Sequence, residues 1–175
     1  MLKRTLMTLA AVYILPLQSV AAELQCGPRM THVSVNGSVT TLNVSDTRQV
    51  GQICVSMIKT ANGREVFNDC GALVGEVVSA NLDTGSSTLA HTAVFDMRNM
   101  FVTRNDQAQI TGVLAVDETG APCAFSVMET ITEIDEGKGI FRSGQINVTA
   151  TGSIGFCPDR NLNTFTLEGE ACVRK

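Results

Sequence analysis

The chain of 175 residues contains no tryptophan, and its one tyrosine, Tyr13, lies near the amino terminus. Any core built by the rest must therefore use Val, Ile, Leu, Met and the seven phenylalanines. Histidine is as scarce: with only His32 and His91, a metal site would need carboxylates in an arrangement the sequence does not display, and no metal is expected. The absence of any Cys-x-x-Cys removes a thioredoxin-like redox site and a zinc knuckle. Beyond Arg4 no basic run occurs, which argues against nucleic acid or an anionic membrane surface as partner, since both need clustered Lys and Arg. No phosphate-cradling glycine loop or other cofactor motif is found, so no cofactor is expected. Helix start and stop signals are missing as well.

What is present begins with an export signal. Lys3 and Arg4 precede an apolar run of 13 residues, Thr5 to Leu17, and Val20-Ala21-Ala22 supplies small residues for cleavage after Ala22. The run is too short to span a bilayer, and no other stretch approaches that length, so the mature chain is expected to have no membrane span. The expected division is a signal peptide over 1–22 and one domain over 23–175. Removing Lys3 and Arg4 leaves 11 basic against 17 acidic side chains, a net charge of about −6. A periplasmic or secreted location follows, with the short n-region and compact Ala-ended signal favouring the periplasm.

Six cysteines, all in the mature part, agree with an oxidising compartment and a disulfide framework. Fifteen pairings are formally open. Cys54 and Cys70 flank an Asn62-Gly63 turn and are placed to bridge neighbouring strands. Cys123–Cys157 and Cys26–Cys172 are then the pairs expected from the remaining four.

Strand patterns recur along the chain. Asn36-Gly37, between Val- and Thr-rich flanks, predicts a hairpin turn, and Asn62-Gly63 predicts a second after the alternation Ile53, Val55, Met57. "ALVGEVVSANL" and "TLAHTAVFDM" flank a polar loop at Asp83–Ser87, and "MFVT", "QITGVLAV", "AFSVMETITEI" and "FTLEGEACV" read as further strands. The most regular is in "GKGIFRSGQINVTATGSIGF", where Ile146, Val148, Ala150, Gly152, Ile154 and Phe156 share one parity. Small residues in the middle of that face, and Gly169 in the middle of the Phe165–Val173 alternation, fit an inward surface that must curl shut. Roughly ten short strands at this spacing predict an all-β fold, a single antiparallel β-barrel of calycin-like type stapled by disulfides.

The turn Gly137-Lys138-Gly139-Ile140-Phe141-Arg142-Ser143-Gly144, followed by Gly152 and the Phe165 to Gly169 stretch, resembles the small barrels of the allene oxide cyclase and dirigent-like group. In that group a G-x-G-x-F-x-x-G turn leads into a long alternating strand and then a final strand with a central glycine. The resemblance covers about Leu89 to Val173 and implies a barrel fold. The amino-terminal half and the six cysteines depart from the plant members, and none of the group's catalytic residues is carried over.

Parity supplies the candidate site residues. His91 shares parity with Leu89, Ala93 and Phe95; Glu129 with Phe125, Val127 and Ile131; Glu76 with Val74, Val78 and Leu82. His91, Phe95, Glu129 and Glu76 are therefore expected to line a lumen as ligand-binding groups, with Glu129 and His91 the candidates for any proton transfer. The tetrapeptide Asp83-Thr84-Gly85-Ser86 matches that of aspartic proteases, but that chemistry needs two aspartates and only one copy exists. The leading reading is a non-catalytic exported barrel that binds a small apolar ligand or a protein partner. The alternatives are a cofactor-free cyclase or isomerase acting in the lumen, and an extracellular inhibitor or structural module presenting the Asp83–Ser87 loop.

Overall fold

A computed structural model describes residues 24–159 and 161–175. The signal segment expected over 1–22 lies outside them. The elements in chain order are β1 (Met30–Ser45), β2 (Arg48–Lys59), β3 (Glu65–Asn81), β4 (Ser86–Val94), β5 (Met100–Val116), β6 (Pro122–Ile131), a short β7 (Glu136–Lys138), a 3-10 turn (Gly139–Phe141), β8 (Gln145–Gly155) and β9 (Leu162–Arg174). Among the described residues there is no α-helix, and no helix long and apolar enough to cross a membrane.

Each long strand pairs antiparallel with the next, β6 passes to β8, and β9 returns to β1. The result is a closed eight-stranded barrel, with the short β7 added beside β5. Strand β7 prolongs the position of β6 beside the start of β5, through Met100 opposite Lys138. Eight strands leave an interior wide enough for side chains or one small ligand. Alternation decides what enters it: Ile53, Val55 and Met57 of β2 and Ile146, Val148 and Ala150 of β8 are buried, while their neighbours point out.

The three expected disulfides are present and no cysteine is free. Cys54 and Cys70 stand directly opposite each other on β2 and β3. Cys123–Cys157 ties the start of β6 to the β8–β9 connection, and Cys26–Cys172 ties the segment before β1 to β9. Three disulfides and the absence of a membrane-crossing helix among the described residues are compatible with an extracellular or periplasmic location.

Two expectations are corrected. Asn36-Gly37 is not a turn but lies within β1, Asn36 opposite Ser56 and Gly37 opposite Val55, and the reversal comes later at Asp46-Thr47. The glycine is there for space: a Cβ on Gly37 would fall 2.4 Å from the Cys54 carbonyl oxygen and 3.2 Å from Leu167 Cδ1. Likewise "MFVT" and "QITGVLAV" are one strand of 17 residues, β5, interrupted by a bulge. The Asn62-Gly63 turn forms as expected, with the Gly63 N–H donating to the Lys59 carbonyl at 2.9 Å.

The lumen has two unlike halves. At the end holding the start of β1, the end of β9 and the 3-10 turn, Phe67, Phe95, Phe101 and Phe141 pack as one aromatic plug with ring centroids 5.0–6.2 Å apart. The plug continues inward as the main core, including Val33, Val35, Met57 and Val148. Toward the opposite end a second, smaller cluster of Leu89, Ala108 and Val127, with Val77, Ile110 and Ile154 beside it, lines the wall without filling the space between.

Candidate functional site

The unfilled half is a mouth-shaped cavity of about 240 Å³. Its rim is the β1–β2, β3–β4 and β8–β9 connections, and its wall is mostly apolar, with Val77, Leu89, Ile110, Val127, Ile154 and Phe165. Beneath it a pocket of about 50 Å³ reaches toward the core. Glu129, Gln49 and Phe165 line both spaces, so Glu129 stands at the floor of the mouth.

Three neighbouring strands build the polar floor. β4 supplies His91, β5 supplies Thr103 and Asp106, and β6 supplies Glu129; all four are buried. His91 Nδ1 lies 2.8 Å from Asp106 Oδ2, and the Thr103 hydroxyl donates to that same oxygen. Thr103 in turn accepts the backbone N–H of His91 at 3.2 Å. Asp106 Oδ2 already accepts the Thr103 hydroxyl, so it accepts from His91 as well and fixes the imidazole tautomer with the proton on Nδ1. Glu129 Oε1 lies 3.4 Å from His91 Nδ1, close enough for charge interaction, yet it has no hydrogen-bond partner.

These surroundings shift both groups upward. Burial works against the charged form of His91, but the hydrogen bond to Asp106 and the nearby charges of Glu129 and Asp106 outweigh it, raising its pKa above the ordinary histidine value. For Glu129 burial is the dominant influence and raises the pKa; His91 opposes this and Asp106 adds to it.

A bulge makes the cluster possible. On β5 the inward parity runs Phe101, Thr103, then skips Arg104 and Asn105, both exposed, and resumes at Asp106 and Ala108. The register against β4 shifts at the same place, from Leu89 opposite Asp106 to His91 opposite Thr103. Thr103 and Asp106 therefore both face the lumen although three residues apart. Simple alternation assigns them to opposite faces, which is why sequence reasoning missed Asp106. A parity break between the apolar stretches Phe101–Thr103 and Ala108–Ile110 is the signal that could have found it.

Of the four residues expected in the lumen, His91 and Glu129 face inward and meet. Glu76 does not: it is exposed on the outer face, where Oε1 lies 3.6 Å from Arg48 Nε. The parity was real but the face was wrong, because Leu73, Gly75 and Val77 point inward while Val74, Glu76 and Val78 point out, with Val78 62% exposed. Phe95 also faces inward, but in the closed half of the lumen: it lies just past β4 in the aromatic plug, stacked on Phe141 at 5.5 Å, away from the mouth. Nor did the sequence disclose the carboxylate arrangement around His91 that the barrel assembles from β5 and β6. In the Asp83–Ser86 tetrapeptide, Asp83 and Thr84 are exposed in the β3–β4 turn, where the Asp83 N–H donates to Asn81 Oδ1 at 3.0 Å, while Gly85 and Ser86 are half-buried as β4 begins.

A second polar group stands beside the floor. Asn163, fully buried, donates to Asn43 Oδ1 at 2.8 Å, Gln49 Oε1 at 3.1 Å and Thr41 Oγ1 at 3.2 Å, and accepts the Gly155 N–H at 3.0 Å. Its polar capacity is used internally, which marks it as bracing for the mouth. No family model, no characterised protein and no solved structure matches the chain, so what the site does is read from its geometry.

Proposed function

We propose that the protein is an exported, disulfide-braced barrel that holds one small apolar molecule in its mouth cavity. The observation that carries this is the asymmetry of the lumen: one half is packed shut, while the other keeps about 240 Å³ open to solvent behind apolar walls. An enclosed apolar space of roughly 150 Å³ already accepts benzene, so this volume suits a ligand of one or two rings or a short alkyl chain. Few convergent polar groups among apolar walls are the usual make-up of such sites. The export signal and the disulfides support action outside the cytoplasm.

The test is binding of the two-ring fluorophore 6-propionyl-2-dimethylaminonaphthalene, whose emission moves to the blue in apolar surroundings. The expected result is saturable binding of one molecule per chain, lost in Ala108→Trp, whose indole fills the mouth from the β5 wall. Equal binding by the variant, or none by the native protein, would sink the reading. A second reading, a cofactor-free isomerase, gains from one specific observation: Glu129 and His91 lie within 3.4 Å at the cavity floor, as proton transfer in the lumen would need. It is favoured over the binder only if Glu129→Gln abolishes turnover of a bound compound while leaving its affinity intact.

A further inference from the structure

Within the cluster of His91, Thr103, Asp106 and Glu129, Asp106 Oδ2 takes both the Thr103 hydroxyl and His91 Nδ1. Glu129 Oε1 is left with none, on a residue only 5% exposed. An unpaired buried carboxylate oxygen is costly, and natural interiors rarely keep one without a reason. The orphan oxygen does not point at the open mouth, where a ligand's polar head could reach it. It has no exposed surface of its own and faces His91 Nδ1 across 3.4 Å.

We infer that His91, Asp106 and Glu129 form a binding site for one divalent transition ion such as Zn²⁺. His91 Nδ1 and one oxygen of each carboxylate all lie within 4.8 Å of one another. An ion bonded at about 2.1 Å holds two ligand atoms about 3.0 Å apart at a right angle and about 3.4 Å apart at the tetrahedral angle. The observed separations of 2.8 Å from Nδ1 to Asp106 Oδ2 and 3.4 Å from Nδ1 to Glu129 Oε1 sit close to those two values. Both separations from His91 Nδ1 therefore fit a shared centre as they stand, and the two carboxylate oxygens, within 4.8 Å of each other, need only come within about 3.4 Å. Loading replaces the Nδ1 proton, which leaves to solvent, and the ion's double charge offsets both carboxylates.

The ligand set selects the metal. One imidazole and two carboxylates suit zinc, manganese or iron, with affinity rising from Mn²⁺ toward Zn²⁺. Calcium, which takes six to eight oxygens, is poorly served by three buried side chains. The Thr103 hydroxyl on Asp106 Oδ2 is the outer contact that orients a ligating carboxylate. Three protein ligands leave a coordination position free for water or an oxygen of a bound molecule, as in zinc sites that act on substrates. This inference does not depend on apolar binding in the mouth and stands if that binding fails.

The test is a Co²⁺ titration of chelator-treated protein, with Mn²⁺ line broadening in NMR as a readout that needs no variant. One equivalent of Co²⁺ should give a visible d–d band that Zn²⁺ displaces, and Mn²⁺ should broaden His91, Asp106 and Glu129 signals first. Glu129→Gln and Asp106→Asn should each weaken Co²⁺ binding by about a hundredfold or more, exceeding what loss of an outer contact costs. His32→Ala should leave it unchanged, because His32 pairs with Glu170 away from the lumen. Absence of binding at millimolar Co²⁺, broadening centred on His32, or Ca²⁺ binding as tight as Zn²⁺ would each overturn the assignment.

Discussion

At the closed end of the lumen four phenylalanine rings pack against one another, whereas at the mouth Phe156 and Phe165 stand among aliphatic side chains around an open space. Both ends are apolar, so composition does not distinguish them. Volume does: large rings meet at one end, and Ala108, Leu89 and Val127 line the other. Packing to crystal-like density stabilises the first, while the second gives up that dispersion energy and keeps room for a guest. The disulfides brace both ends, Cys26–Cys172 near the plug and Cys123–Cys157 beside the mouth.

The largest expected effect separates these ends directly. Phe141 is 1% exposed and touches the three other rings, so Phe141→Ala should cost about 3–5 kcal/mol. Leu89→Ala, on the mouth wall, should cost about 2 kcal/mol, the low end of its class, because one side of Leu89 already faces unfilled space. Urea unfolding followed by circular dichroism gives both values, since no tryptophan is available as a reporter. Equal losses would mean that the mouth collapses in solution and the contrast between the ends is not real.

A smaller effect should appear with pH in chelator-treated protein. The folded pKa of Glu129 and of His91 both lie above their ordinary values. A raised folded pKa means that the folded state holds its proton longer than the unfolded state. The associated stability is therefore complete at low pH and is lost as pH rises through the folded pKa. For Glu129 the loss starts near the ordinary carboxylate pKa of about 4.3, and for His91 near about 6.5. The charged neighbours facing Glu129 are His91 on β4 and Asp106 on β5. Melting temperature should fall as pH rises from about 5 to 8, and Glu129→Gln should flatten the first part of that fall. Below about pH 4 the sign reverses, because Asp96 and Asp117, whose pKa values are held down by hydrogen bonds in exposed turns, become protonated. A melting temperature that rises steadily from pH 5 to 8 would show that Glu129 is ionised and paired in the fold.

How much of this was legible in the sequence depends on what each signal encodes. Period-two alternation gave the strands, and the Asn62-Gly63 turn gave Cys54–Cys70, because both follow from local chain geometry; the other two disulfides, at separations of 146 and 34, followed only by elimination. Alternation does not say which parity points inward. On β3 both parities are apolar, so Glu76 was assigned to the lumen by the company of Val74 and Val78, which face solvent. Nor does a two-residue turn signal distinguish a reversal from a close approach, and Gly37 serves the second purpose. His91 and Glu129 were found because their strands are regular around them. Asp106 was hidden by the Arg104-Asn105 bulge, which exists only in the pairing of β4 with β5. The site depends on a place where the strand pattern breaks.

The smallest expected effect compares two glycines on the barrel wall. Gly75 lies opposite His91, and a Cβ there would meet Gln49 Cγ and Nε2 at 2.9 Å and His91 Cδ2 at 3.0 Å. All three are side-chain atoms, and the Gln49 tail can turn aside at the cost of its bonds to Asn163 and Thr41. Replacing glycine by alanine also lowers the entropy of the unfolded chain, a gain of about 0.4–1 kcal/mol that works in the opposite direction. Gly75→Ala should therefore change stability by less than about 1 kcal/mol, while shifting the His91 ring resonances in NMR because the new methyl presses on that ring. Gly152 is the counterpart. A Cβ there would lie 1.9 Å from the Thr164 carbonyl oxygen and 2.7 Å from Phe165 Cα, backbone atoms of a paired strand that cannot turn aside. Gly152→Ala should cost more than about 2 kcal/mol, in the range of overpacked cores. Similar losses for the two would mean that Gln49 and His91 are held as rigidly as the backbone, and that the floor of the mouth is already locked before anything binds.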